Sequence, residues 1–78
     1  MNPNIKFFVV ETEVAKGQRA SAITEKATHD EAKMLYHQIL ASAYANKDVT
    51  YALVMIIDEN GMNYEREVIR KAVESTEA

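Results

Sequence analysis

The chain has 78 residues, a formal net charge of -3 from nine Lys and Arg against twelve Asp and Glu, 47% hydrophobic residues and no cysteine. Those values fit one small folded domain and argue against intrinsic disorder, and the lack of cysteine excludes a disulfide framework and a thiolate zinc site. The acidic balance also argues against a nucleic-acid binder that works by neutralising phosphates.

Ile5 to Val14, IKFFVVETEV, is rich in aromatic and β-branched residues between Pro3 and Lys16-Gly17, and predicts a strand. Its apolar run, Phe7 to Val10, is too short to cross a membrane and is followed at once by acids, unlike a signal peptide. A soluble protein of the cytoplasm is therefore expected. Arg19 to Lys26, RASAITEK, follows the short Gly-containing connection as the return arm of a hairpin. Thr28 with Glu31 three residues on forms a capping-box pattern, and Asp30 adds favourable charge to the first turn, so a helix should start near His29. It should end about Asn46, with Lys47 suited to its negative end.

Val49 to Asp58, VTYALVMIID, is apolar at odd and even positions and predicts a central strand buried on both faces. Asn60-Gly61 suggests a type I′ hairpin turn into a last strand from Asn63 to Lys71. The remainder is polar enough to fray, as are residues 1–4. The predicted class is α+β, in the order β-β-α-β-β: one antiparallel sheet with one helix on one face. With that turn, Ile57 should face Tyr64, Met55 Arg66 and Leu53 Val68 on one side. Ala52 with Ile69, Val54 with Glu67 and Ile56 with Glu65 should lie on the other. The pattern leaves open which side the helix covers.

One helix shields one side of a sheet, yet both sides of the first and third strands carry apolar residues. A sheet face holding Val54, Ile56 and Ile69, or their odd-numbered counterparts, is left over as a self-association surface. The helix offers a second one. Met34, His37, Ala41, Tyr44 and Ala45 run along the side opposite its core-facing residues, and the small Ala41 and Ala45 allow a helix to approach. Scattered Ala, Met and Tyr on a helix surface are also unremarkable.

Chemistry is sparse. His29 and His37 are the only imidazoles and lack metal-binding spacing, there is no nucleophile elbow, and two glycines do not make a phosphate loop. Glu65 and Glu67 alternating with Arg66 and Arg70 fit the charged edge strand that resists aggregation. No catalytic residue, metal or cofactor is expected. Tyr51, Tyr64, Arg66 and Arg70 on one sheet face would suit an anionic ligand such as a nucleotide, and nucleic acid itself is the less favoured occupant.

Asp30 to Lys33, DEAK, then Tyr36 to Ala43, YHQILASA, then Tyr51 to Gly61, YALVMIIDENG, after an opening FFVVE at Phe7 to Glu11, carry a likeness across most of the chain. In these motifs the chain resembles a group of small proteins of Firmicutes and their phages and prophages. It departs from many of them in ending REVIRKAVESTEA rather than in a Cys-Tyr-Lys-His-like tail. The resemblance implies an accessory protein of a phage or mobile element, acting in a bacterial cytoplasm by binding another protein, with no activity or catalytic residue to carry over. A non-enzymatic homodimer or larger oligomer is the first expectation. A binder of a small anion at a subunit interface is the second.

Overall fold

The structure, a computed structural model, describes residues 5–71; the fraying expected at 1–4 and 73–78 lies outside them. Strands β1 (Phe7–Ala15) and β2 (Gln18–Lys26) form a hairpin, helix α1 (His29–Ala45) follows, and β3 (Val49–Asp58) and β4 (Asn63–Arg70) form a second hairpin. The sheet order is β2-β1-β3-β4 with every neighbour antiparallel, so β1 and β3 are both central. Because β2 and β3 then point the same way with β1 between them, the chain must pass over β1, and α1 makes that passage across one face.

The type I′ turn expected at Asn60-Gly61 forms instead at Lys16-Gly17, and the expected pairing of Ile57 with Tyr64 does not form. Lys16 and Gly17 both have positive φ, at 54° and 78°, and Ala15 pairs with Gln18, so the two-residue type I′ turn joins β1 and β2. At Asn60-Gly61 only Gly61 has positive φ, at 82°. The Gly61 N–H donates to Asp58 O at 2.9 Å and the Asp58 N–H to Met62 O at 3.1 Å, which makes a three-residue loop with its glycine in the left-handed region. The extra loop residue is absorbed at once. Ile57 pairs with Asn63, Ile56 with Glu65, and Tyr64 bulges out between them. Beyond the bulge Met55 faces Arg66, Val54 Glu67, Leu53 Val68 and Ala52 Ile69, as the hairpin pattern predicts.

Thr28 caps the helix by accepting a hydrogen bond from the Glu31 N–H at 3.1 Å. At the other end the cation is not Lys47, which lies past the last turn, but Lys71, delivered by β4. Its ammonium donates to the carbonyls of Ala43 at 2.7 Å, Tyr44 at 3.2 Å and Asn46 at 2.8 Å. Three carbonyls at the helix's negative end thus find one donor.

The core lies between α1 and one face of the sheet. Ala32, Tyr36, Ile39, Leu40 and Ala43 bury against Val9, Ala52, Val54, Ile56 and Ile69, with Phe7, Ala15 and Leu35 at the margin. The helix therefore covers the even-numbered side of β3. Val54 and Ile56 are fully buried and Ile69 nearly so, which removes all three from the self-association candidates. Their odd-numbered counterparts take that place.

Candidate functional site

The strand registers arrange the uncovered face in four rows. From β2 to β4 they read Glu25, Phe8, Ile57, Asn63; then Ile23, Val10, Met55, Arg66; then Ser21, Thr12, Leu53, Val68; then Arg19, Val14, Tyr51, Arg70. The middle strands are mostly apolar, and the charged residues, Glu25, Arg19, Arg66 and Arg70, all stand on the two edge strands. Ile23 is 69% exposed and Val68 45%, while Phe8, Val10, Val14, Leu53, Met55 and Ile57 are each half-buried by their strand neighbours alone. In the middle, the Thr12 and Ser21 hydroxyls lie 2.8 Å apart and share one hydrogen bond.

All three arginines of the chain lie on this face, and among the described residues no carboxylate comes within ion-pair distance of any of them. Two converge on one ring. The guanidinium of Arg70 sits 5.2 Å from the centre of Tyr51 and that of Arg19 5.8 Å, within range of cation–π attraction. Glu25, at the opposite end of β2, is held by Lys6 at 3.5 Å. The face is thus cationic in a protein whose formal net charge is -3.

Tyr64 does not join Tyr51, Arg66 and Arg70. The bulge turns its ring to the helix side, where it stands 4.9 Å from His29 and 5.5 Å, edge on, from Phe7, itself stacked on His29 at 5.3 Å. The Tyr64 hydroxyl donates to Asp58 at 2.7 Å. Asp58, only 4% exposed, also accepts the N–H groups of Asn60 at 2.8 Å and Met62 at 3.0 Å. Chiefly the Tyr64 bond, and then these N–H groups, hold its carboxyl below the ordinary aspartate value against the upward push of burial; the same bond raises the Tyr64 phenol. The stability this gives is complete above the unfolded pKa of about 4 and is lost as pH falls through the lower folded value. Asp58→Asn should therefore melt at lower temperature at pH 7, and its deficit against the parent should shrink as melts are repeated towards about pH 2. A constant deficit would assign Asp58 no ionic role.

The helix stripe is thinner than its spacing implies. Met34, 64% exposed, His37, Ala41 and Ala45 face outward, His37 resting edge on against Tyr36 at 5.2 Å. Tyr44 reaches round to β4 and donates its hydroxyl to Glu67, which raises its phenol pKa. Met34 and the ring of Tyr44, still 56% exposed, are then the large side chains left on the stripe. A separate groove between α1 and β1 is lined by Glu11, Glu13, Leu35, Gln38, Ile39 and Ser42. Burial, and next the charge of Glu13, raise the Glu11 carboxyl above its usual value.

Arg19, absent from the sequence-derived set, has a retrievable signal. A type I′ turn at Lys16-Gly17 sets Arg19 beside Val14, but only the β1–β3 pairing carries it to Tyr51. Among the described residues no cluster of His, Asp or Glu suits a metal ion, and no helix is long and apolar enough to cross a membrane. No family model, curated protein or solved structure matches the chain.

Proposed function

We propose that the protein is a non-enzymatic interaction module that buries its open sheet face against another copy of itself, as a homodimer or larger oligomer. One observation carries this reading: an apolar centre, broken by the paired hydroxyls of Thr12 and Ser21, runs from Ile23 on β2 to Val68 on β4 with no element of the described chain over it. At ordinary strand spacing and rise, the face occupies about 19 by 20 Å, or roughly 400 Å² before side-chain relief is counted. Its apolar part, with the charged edges left out, is smaller than that, and the whole face is about half of one side of a standard interface before side-chain relief is counted. Charged edge strands beside an apolar centre also match interface anatomy. The exposed helix surface, with Met34, His37 and Ala41, is left for another protein. The setting, an accessory protein of a phage or mobile element in a bacterial cytoplasm, rests on the resemblance alone.

Sedimentation over a range of concentrations tests the proposal. A mass that doubles or more as concentration rises is the expected result; a single subunit at millimolar concentration overturns it.

A second reading is favoured by the three arginines without carboxylate partners. Arg19 and Arg70 around Tyr51, with Arg66 two rows away on the same edge strand as Arg70, would hold a small anion such as a nucleotide at the rim of the subunit interface, since guanidinium suits phosphate and a flat ring suits a base. A ligand that binds only the folded form must raise the melting temperature. Nucleotides that leave it unmoved would remove this reading.

A further inference from the structure

We infer that the second copy lies face to face with its strands antiparallel to the first, so that Arg19 of each copy meets Glu25 of the other. This rests on the proposed self-association through the open face and adds its register. A two-fold axis lying between two facing sheets can run along the strands or across them. If it runs along them, each row meets its own copy and β2 lies over β4. Arg19 and Arg70 then face Arg70 and Arg19 of the other copy, and four guanidiniums gather at one end of the face with no acid in that row. Like charges so placed oppose association.

If the axis crosses the strands between the Met55 and Leu53 rows, the first row meets the fourth and the second meets the third, with β2 over β2. Arg19 lies over Glu25, Phe8 over Val14, Ile57 over Tyr51 and Met55 over Leu53. Facing sheets pack about 10 Å apart, a gap that an Arg and a Glu side chain span together. Glu25 then sits between its own Lys6 and the other copy's Arg19, and Thr12 and Ser21 enter the interface already sharing a hydrogen bond. Arg66 and Arg70 stay at the β4 rim. The one acid and the one β2 arginine of this face are thus self-complementary in a single arrangement of the two.

Mixing two charge reversals reads the register directly. Both sites are exposed, so Arg19→Glu and Glu25→Arg should each fold. Each alone places like charges together twice per dimer and should weaken self-association at least about tenfold. An equimolar mixture pairs the introduced carboxylate of one variant with the introduced guanidinium of the other and leaves the native pair at the second contact. It should form a mixed dimer within about threefold of the parent affinity, read by sedimentation with one variant dye-labelled. Failure of the mixture to associate, or single variants that dimerise like the parent, overturns the register. Met55→Glu run alongside separates the two claims: if it remains monomeric while the reversals have no effect, the face stands and only the register falls. If Met55→Glu still dimerises, the face itself is wrong.

Discussion

Glutamate at position 54 should unfold the protein, whereas glutamate at the next residue, 55, should leave it folded and single. Val54 is fully buried under α1 among Val9, Ile39 and Ile56, where a carboxylate finds no cation and no water. Burying such a charge costs several kcal/mol even after it takes up a proton. At roughly 0.05–0.15 kcal/mol per residue a domain of this length holds only about 4–12 kcal/mol in all. Val54→Glu should accordingly lose its cooperative thermal transition, as should Ile56→Glu. Met55 points to the other face, beside Val10 and Arg66, where a carboxylate stays hydrated in the monomer and has a guanidinium close by. Met55→Glu should melt within a few degrees of the parent and fail to self-associate at any concentration that sustains the parent dimer. Circular dichroism and sedimentation on the two variants check both halves. A folded Val54→Glu monomer would mean that the sheet is covered on the opposite side.

Lys71→Met should lower stability by about 2 kcal/mol, the scale of hydrogen bonds to a charged group together with a favourable charge at a helix C-terminus. In a domain of this size that is roughly 10 °C of melting temperature. The ammonium ties the Ala43, Tyr44 and Asn46 carbonyls to the end of β4, so its loss frees both the last turn of α1 and the strand end. Methionine keeps the length of the side chain and much of its apolar contact, which isolates the donor. Lys47→Met serves as the comparison: Lys47 is exposed and lies beyond the helix, and its replacement should change the melting temperature by less than about 3 °C. Equal effects from the two would place the cap elsewhere.

Local signals are sufficient wherever one residue's own geometry decides the outcome. The Thr28 cap, the β-branched runs of β1 and β3 and the polar break after Ala45 bring the β-β-α-β-β order out of residues near one another in the chain, and α1 starts where its capping pattern places it. The hairpin pairing of Met55 with Arg66 and Leu53 with Val68 is legible for the same reason, even though the turn that produces it has three residues and a compensating bulge. That bulge is where local reading fails. Asn60-Gly61 accommodates either turn, and in the longer form the Asp58 carboxylate gathers Asn60, Met62 and Tyr64.

Period-two alternation establishes that β3 has two apolar sides, but it is symmetric under exchange of those sides. Contacts distant in sequence break the symmetry. Once Val9 pairs with Ile56 and the chain crosses β1, the helix must lie on the side of Val54, Ile56 and Ile69, and Leu53, Met55, Ile57 and Val68 are left outside. Arg19 reaches Tyr51, and Lys71 reaches the end of α1, through the same long-range pairings, separated by 32 and 25 or more positions in the chain. Composition and spacing therefore specify how much apolar surface the chain carries and in which elements. Which of it faces outward is set by strand order and crossover, because a side chain's exposure depends on what packs over it.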